Sequence, residues 1–197
     1  MPAKEHLSAF IKATGAALGF DLVGISPAQP VAHGQAFADW LRQGYHGTMA
    51  YLPRTAEARL DPGCLLPWAR SVVSVALTYD TAHPRGLPAE GLRGRVARYA
   101  WGGDYHELMQ AKLEALLGAL LDEAGRDVAG RIMVDAGPAL DREHAARAGL
   151  GWYGKNTNLL AAGLGSFFFL GELFLDLDLA WDVPVRDRCG QCRRCLD

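Results

Sequence analysis

The most recognisable chemistry in this sequence lies in its last nine residues, which contain three of its four cysteines. Cys189, Cys192 and Cys195 have the spacing C-x2-C-x2-C, which lets three thiolates bend round one [4Fe–4S] cluster and is typical of the beginning of a ferredoxin run. Zinc, which more often uses two separated C-x2-C pairs, and unliganded thiols are the weaker alternatives. Three ligands leave a four-cysteine set incomplete. Cys64, the remaining cysteine, lies beside apolar residues and is predicted to be a small core residue.

A second candidate site surrounds Asp135, which ends a predicted strand and is followed by Gly137 and Pro138. A carboxylate at the mouth of a strand can meet a ligand, and in a partly desolvated position it can donate a proton near neutral pH. It can also form an Asx-turn or cap the helix predicted over 140–149, and the local features alone favour this structural role.

The segment GLGWYGKNTN (149–158) follows that helix. Its glycines allow the backbone to approach a large ligand closely. Neither the Walker pattern nor G-x-G-x-x-G is present, so the segment is not a phosphate-binding loop.

A third group of reactive side chains lies at the start of a predicted helix, in RYAWGGDYHEL (98–108). The residues that could line a pocket there are Arg98, Tyr99, Asp104, Tyr105 and His106. The other histidines are predicted to be solvated surface residues: His6, His33, His46, His83 and His144. No H-x-E or H-E-x-x-H spacing occurs in the sequence, which argues against a hydrolytic zinc site.

The segment 83–98 is basic, with Arg85, Arg93, Arg95 and Arg98. Such a segment is most often a solvated loop, and its functional alternative is a phosphate-contacting edge for a nucleic acid. The formal net charge of the whole chain is -2, so there is no general attraction to nucleic acid.

The composition is that of a globular protein, with 50% hydrophobic and 21% charged residues. The N-terminal residues include no signal-peptide hydrophobic region, and no apolar run approaches the roughly 18 residues of a membrane span. We therefore expect a soluble, cytoplasmic, monomeric protein without a membrane partner. In a reducing compartment a tight cysteine cluster indicates metal binding rather than disulfides.

Helices and strands are predicted to alternate irregularly, which favours an α+β fold with a mixed or antiparallel sheet. The predicted helices cover 5–18, 35–44, 104–124 and 140–149; the predicted strands cover 20–26, 71–79 and 130–138. NLLAA and SFFFLGELFLDLDL are predicted to form a hairpin joined by GLG, with the acidic positions of the second arm facing solvent. The charged, cysteine-rich composition after Pro184 divides the chain into a main domain, 1–183, and the beginning of a second domain, 184–197.

Several of these segments together resemble one family, the epoxyqueuosine reductases, which are cobalamin-dependent enzymes of tRNA queuosine maturation. RYAWGGDYH resembles the family pattern R-Y-A-x-G-x-D-Y-H, and VDAGPALDREHAARAGLGWYGKNTNLL resembles V-D-x-G-P-x-x-[DE]-R-x-x-A-x-x-A-G-L-G-W-x-G-K-N. HGTMAYL, LLPWARSVVSVALTY, GSFFFLGEL and CGQCRRCLD also match, so the resemblance extends over nearly the whole chain.

The resemblance implies a nitroreductase-like domain that binds cobalamin, followed by a ferredoxin-like module whose [4Fe–4S] clusters deliver electrons. It implies reduction of epoxyqueuosine to queuosine at the wobble position in the tRNA anticodon loop, with an external electron donor. It makes Asp135 the catalytic acid, which reverses the local preference for a structural role. It places Asp104, Tyr105 and His106 near the substrate. The residues it places around the corrin, in addition to Asp135, are Arg59, Arg98, Lys155, Asn156 and Asn158.

The sequence departs from the family pattern at its end, because the family continues with five more cysteines. We therefore expect the isolated chain to hold cobalamin without its electron supply and to be inactive by itself. Two alternatives remain open: a non-catalytic corrinoid-binding or carrier module, and a cobalamin-dependent reductase of a small molecule.

Overall fold

The computed structural model describes residues 3–81, 94 and 96–196 of the chain. Within these residues the helices are α1 (Lys4–Ala17), α2 (Gly34–Arg42), α3 (Tyr51–Arg54), α4 (Ala56–Leu60), α5 (Tyr105–Ala124) and α6 (Asp141–Arg147). The strands are β1 (Leu22–Pro27), β2 (Ser71–Thr78), β3 (Gly130–Met133), β4 (Trp152–Tyr153), β5 (Leu159–Leu160) and β6 (Phe168–Leu175). Short 3-10 turns occur at Pro62–Cys64 and Arg98–Ala100.

Four of these strands form one antiparallel sheet in the order β1-β2-β6-β3, and β4 pairs with β5 in a separate ribbon. Helices cover both faces of the sheet, which confirms the α+β prediction. A row of apolar side chains on one face, Ile25, Val73 and Leu173, is fully buried beneath α1 and α5. This apolar face supplies most of the core.

Helix α5 begins and ends as its sequence predicts. The Asp104 side chain accepts a hydrogen bond from the backbone N–H of His106 at 2.9 Å, which satisfies one of the free donors of the first turn. The helix ends at Gly125, whose φ of 62° lies in the left-handed region. The cap fixes Tyr105 and His106 at the exposed end of the helix, beside the end of β3.

Helix α6 covers the opposite face of the sheet and approaches it very closely at Gly24. A Cβ atom at that position would lie 2.2 Å from the carbonyl oxygen of Ala148, so only glycine fits. The same face contains Ser74 and Glu172, which are neighbours on β2 and β6 and are both fully buried.

This arrangement corrects the predicted hairpin. β5 pairs with β4, and β6 pairs with β2 and β3, so the two predicted arms do not pair with each other. An isolated bridge between Ala161 and Gly165 closes the GLG turn. The prediction that the acidic positions of the second arm face solvent is also wrong at Glu172, because α6 covers that face.

Two single-residue predictions are wrong as well. Cys64 is exposed in a 3-10 turn rather than packed in the core. His144 is 1% exposed on the sheet-facing side of α6. Its ring packs edge-on against that of Phe174, with 5.4 Å between the ring centroids, so it is not a solvated surface residue.

Candidate functional site

The predicted acid, Asp135, lies in a turn that follows β3 and has an unusual backbone conformation. Its φ is 57°, and among the described residues it shares a positive φ with only one other non-glycine residue, Thr157. Residues other than glycine seldom adopt this conformation, and when they do it is frequently at functional sites. Gly137 completes the turn because a Cβ there would lie 2.7 Å from the Met133 sulfur. The turn directs an exposed carboxylate away from the sheet.

Side chains from the first turn of α5 hold the Asp135 carboxylate. The Tyr105 hydroxyl donates to Asp135 Oδ2 at 2.5 Å, and His106 Nε2 lies 3.9 Å from the same oxygen. On its other side, His106 Nδ1 lies 2.8 Å from Asp104 Oδ1. The hydrogen bond with His106 lowers the pKa of Asp104. The structure therefore brings Asp104, Tyr105, His106 and Asp135 into one polar group.

Tyr105 is fixed by stacking as well as by its hydroxyl. Its ring lies parallel to that of Phe169 at 4.0 Å between centroids. Burial, followed by the hydrogen bond to Asp135, raises the pKa of Tyr105 well above its usual value, so the phenol keeps its proton. It therefore remains a hydrogen-bond donor to Asp135 over the physiological range.

Arg98 lies at the far end of the same aromatic row, which runs from Tyr105 through Phe169 and Tyr79 to Phe167. Its guanidinium forms an ion pair with Asp80 and lies 5.5 Å from the centre of the Phe167 ring. The structure thus places Arg98 beside the tyrosine side of the site, and not beside Arg59.

A cavity of about 590 Å³ opens between α2, α4, α6 and the turn after β4; we call it the Arg59 cavity. Its wall includes Ala139, four residues after Asp135 in the chain. Arg59 is held in its wall, because Nη1 donates to the Ala139 carbonyl at 2.8 Å and Nε donates to Thr55 Oγ1 at 3.0 Å. The other polar residues that line the cavity are His33, Asp141, Arg142, Glu143, Tyr153 and Thr157. Its volume falls in the range of small-molecule and cofactor sites.

A hydrogen-bond group centred on the buried Glu143 forms part of the wall of the Arg59 cavity. Glu143, which is 8% exposed, lies 2.7 Å from His33 Nδ1 through Oε1, and the same oxygen accepts from the Tyr153 hydroxyl at 2.8 Å. Burial and the bond to Glu143 raise the pKa of Tyr153. None of these three residues was predicted as part of a site, and no motif in the sequence distinguishes them.

The turn between β4 and β5 contains the predicted residues Lys155, Asn156 and Asn158. The Asn156 side chain accepts from the Asn158 backbone N–H at 3.3 Å, and Arg142 donates to the carbonyl of Thr157. Thr157 has a φ of 65°, a genuine outlier for a β-branched residue. The two strained non-glycine residues of the described chain therefore lie in two of the segments predicted to carry function.

Lys155 itself turns toward the cysteine segment. Its ammonium group donates to the carbonyl of Gly190 and to that of Cys192, the latter at 2.8 Å. Cys189 is half-buried, and Cys192 and Cys195 are exposed. In the part of the chain that the structure describes, no three His, Cys, Asp or Glu side chains are arranged to hold a metal ion. The three thiols therefore do not form a closed cluster site within the described residues.

Two acidic residues that were not predicted lie directly behind Asp135. Asp141, at the first position of α6, lines the Arg59 cavity, and burial raises the pKa of its carboxyl group. Glu172 on β6 is fully buried, and neither of its carboxyl oxygens has a hydrogen-bond partner among the described residues. The charge of Asp135 acts on both. Asp141 occupies the [DE] position of the family pattern V-D-x-G-P-x-x-[DE]-R, which is the sequence signal that marks it.

Of the four arginines of the basic segment, the structure describes Arg98, because Arg85, Arg93 and Arg95 lie outside the described residues. The prediction of a phosphate-contacting edge over 83–98 therefore stays a prediction. None of the helices in the described ranges has the length and apolar character that a membrane-spanning helix requires.

Fold and site together define an α+β domain with a strained acidic turn and an open cavity. Solved structures that share this architecture include members of two groups. Solved epoxyqueuosine reductases superpose with a TM-score of 0.81, for example one at 30% identity in complex with an epoxyqueuosine-modified tRNA-Tyr stem loop, covering 97% of this chain and 51% of that chain. A B12-dependent reductive dehalogenase matches with a TM-score of 0.57 at 16% identity, which shows a shared fold alone.

The chain belongs to the epoxyqueuosine reductase family. Residues 59–136 match the family model described as epoxyqueuosine reductase QueG, DUF1730. An epoxyqueuosine reductase from Leadbetterella byssophila is 45% identical over 188 residues, which are 95% of this chain and 61% of that protein. One from Cellulophaga algicola is 41% identical over 198 residues, 100% of this chain and 63% of that protein. The chain thus spans about three fifths of the curated relatives that it matches.

Proposed function

We propose that this chain is the cofactor-holding and proton-donating part of an oxidoreductase that reduces epoxyqueuosine in tRNA to queuosine. The observation that carries the proposal is the geometry of Asp135: a carboxylate in a left-handed turn, 2.5 Å from the Tyr105 hydroxyl, in the segment that leads to Ala139 in the wall of the Arg59 cavity. Family membership supports the reaction class. A family member solved with a modified tRNA stem loop supports the substrate.

Asp135 is the proton donor in this proposal, since the oxygen of an epoxide leaves carbon only as it is protonated. Tyr105 orients the carboxyl group through its hydroxyl, and the cap of α5 holds His106 beside it. A related structure from Bacillus subtilis, 28% identical, is described with a catalytic aspartate loop swung out of the active site. A turn strained at φ 57° is well suited to such a loop movement, because Asp135 can relax to an ordinary negative φ when the loop moves.

Cobalamin fits the chemistry of the Arg59 cavity. The rim of a corrin carries amide groups, which need both hydrogen-bond donors and acceptors, and the cavity offers Arg59 and Arg142 as donors and Asp141 as an acceptor. When bound, the corrinoid would supply the electrons that the epoxide takes up. Asn156 and Asn158, in the turn at the rim, and Arg98, beyond Tyr105, are the other proposed contacts.

The described residues do not complete an iron–sulfur site, because the thiols do not converge on a metal position. We propose that residues 184–197 begin a second, ferredoxin-like domain, while 1–183 form the cofactor domain. Lys155 then has a positioning role, since it ties the carbonyls of the cysteine segment to the turn after β4. No step of the proposed reaction is assigned to these cysteines.

The proposal is tested by supplying electrons chemically. The chain is loaded with cobalamin, reduced with titanium(III) citrate and given an epoxyqueuosine-containing tRNA stem loop, and queuosine is measured by mass spectrometry. Asp135→Asn should retain the corrinoid and lose queuosine formation by a factor on the order of 10² or more. Asp127→Asn, outside the site, is the matched control. Formation of queuosine by Asp135→Asn at the wild-type rate would remove Asp135 from the acid role.

A reductase of a small molecule is the second candidate, favoured by the fold shared with the reductive dehalogenase. The same loaded chain distinguishes the two. Reduction of a halogenated phenol without queuosine formation would favour the small-molecule reaction.

A further inference from the structure

A second cavity adjoins the acidic turn, at the outer edge of the sheet. It has a volume of about 360 Å³, which falls in the range of small-ligand sites, and we call it the Arg131 cavity. Its wall contains Ala136, which follows Asp135 in the chain, and His106, whose Nε2 lies 3.9 Å from Asp135 Oδ2. The Arg131 cavity is thus contiguous with the group that holds the proposed proton donor, and the proposed reaction has not given it a role.

Two elements supply the walls of the Arg131 cavity. One wall is the first part of α5, where Glu107 and Gln110 are three residues apart and are therefore neighbours on the helix surface. The other wall is β3, the last strand in the sheet order, whose outer side has no strand partner among the described residues. Ile132 and Val134 make part of that wall apolar, which suits the face of a planar ring.

The charged groups in the wall of the Arg131 cavity have opposite signs but do not pair with each other. Glu107 and Arg131 both line the cavity, and neither side chain has a hydrogen bond or an ion pair within the described part of the chain. Gln110 donates through its amide nitrogen to Glu114 Oε1 at 2.8 Å, which leaves its carbonyl oxygen able to accept. The cavity thus offers acceptors and a donor side by side, so a fitting ligand carries both donors and an acceptor.

The base of the proposed substrate carries such a set of groups, and the inference rests on the proposed function. Epoxyqueuosine is a 7-deazaguanine nucleoside, whose base presents two adjacent donors, N1–H and the 2-amino group, and one acceptor, O6. Position 7 is a carbon that bears the epoxide-containing side chain, so the paired O6 and N7 contact by which arginine commonly reads guanine does not exist here. Recognition of this base therefore falls on its Watson–Crick edge, which becomes accessible once the nucleotide is unstacked.

We propose that the Arg131 cavity receives the 7-deazaguanine base of the substrate. Glu107 accepts hydrogen bonds from N1–H and the 2-amino group, and Arg131 donates to O6. Gln110 accepts a further hydrogen bond from the 2-amino group. The side chain at position 7 then carries the epoxide past His106 to Asp135. Glu107 and Arg131 contact the base and not the reacting atoms, so they determine which nucleotide is positioned at the acid.

The first test measures occupation of the cavity without cofactor or turnover. Chain labelled with ¹³C at its isoleucine methyl groups is titrated with 7-deazaguanosine, and the resonance that disappears in Ile132→Val reports on the cavity wall. Ile11 and Ile25, both fully buried in the core, are internal references.

We expect the Ile132 resonance to shift saturably with 7-deazaguanosine and to stay in place with 7-deazaadenosine, whose base lacks both N1–H and O6. The shift should be lost in Glu107→Gln and in Arg131→Gln, so the test stays decisive if one variant folds poorly. Asp122→Asn, which changes an exposed acid near the other end of α5, should keep it. Equal shifts with both nucleosides, or no shift with either, would overturn the inference.

The second test measures turnover of the stem loop in the titanium(III)-reduced, cobalamin-loaded chain. Contacts to the base act equally before and during the reaction, so Glu107→Gln should raise KM about tenfold and change kcat much less. If Glu107 only stabilised the first turn of α5, its loss would leave KM unchanged. An unchanged KM refutes the base site, whereas a wild-type chain that binds 7-deazaguanosine but forms no queuosine refutes the proposed function.

Discussion

Replacing His144 by leucine should remove about 3 kcal/mol of the acid sensitivity of this fold. The imidazole is 1% exposed, neither of its nitrogens has a hydrogen-bond partner among the described residues, and burial lowers its pKa from 6.5 to about 4. A group with a depressed pKa in the folded state binds a proton more readily when the chain unfolds. The stability is therefore fully present above about pH 6.5 and is lost as the pH falls toward 4.

The magnitude follows from linkage. Each unit of pKa difference corresponds to about 1.4 kcal/mol, so His144 should cost about 3 kcal/mol of unfolding free energy between pH 6.5 and 4. His144→Leu has a similar volume, leaves no unpaired nitrogen beside Phe174 and has nothing to titrate. The difference in stability between the variant and the wild type should therefore grow in favour of the variant as the pH falls.

Urea unfolding followed by circular dichroism measures this difference without changing the ionic strength, because urea is uncharged. His6→Gln, at a position where the histidine is exposed and lies 2.5 Å from Glu123, controls for the loss of an imidazole. Parallel curves for His144→Leu and wild type across the acid range would refute the argument that the buried ring is neutral.

Three further predictions concern the packing and the polar group of the site. Gly24→Ala should lose about 1–3 kcal/mol of unfolding free energy, because its Cβ would meet the Ala148 carbonyl. Gly118→Ala, in open space on α5, should gain up to about 1 kcal/mol. Thermal unfolding of both variants checks this prediction. Glu172→Gln should become more stable relative to wild type as the pH rises above about 4.5, by up to about 1.4 kcal/mol per pH unit. The reason is that a folded protein whose carboxyl group has a raised pKa loses stability as the pH rises. Urea midpoints of variant and wild type that stay parallel across that pH range would contradict the prediction. Tyr105→Phe keeps the stacking on Phe169 but frees the acidic turn, so queuosine formation should fall about tenfold while cobalamin binding is retained, and equal losses of both would point to a folding defect.

The sequence predicts best those features whose causes are local. Helix α5 was predicted from an N-cap aspartate and an apolar stripe, and both act within the helix itself. The buried strand β2 was predicted from a run of β-branched residues. The acidic turn at Asp135 was singled out by a motif, but its left-handed conformation and its bond to Tyr105, 30 residues earlier in the chain, have no signature in the sequence.

The incorrect predictions depend on partners that are distant in sequence. The odd and even alternation in β6 correctly places Leu173 and Leu175 on the apolar core, but the opposite face looks solvent-exposed only when α6 is left out. Pairing with β2, about 100 residues earlier, also outcompetes the local hairpin suggested by GLG. His144 and Glu172 were misjudged for the same reason, because what buries them is tertiary packing.

The central claim is that this chain holds a corrinoid beside Asp135, and direct binding tests it best. Purified chain is mixed with cob(II)alamin under anaerobic conditions and desalted, and its visible spectrum is recorded, with Arg59→Ala as the matched variant that weakens a wall of the cavity. We expect about one corrinoid per chain to be retained with a changed spectrum, and less in the variant. A wild-type chain that emerges from the column without corrinoid absorbance would contradict the account.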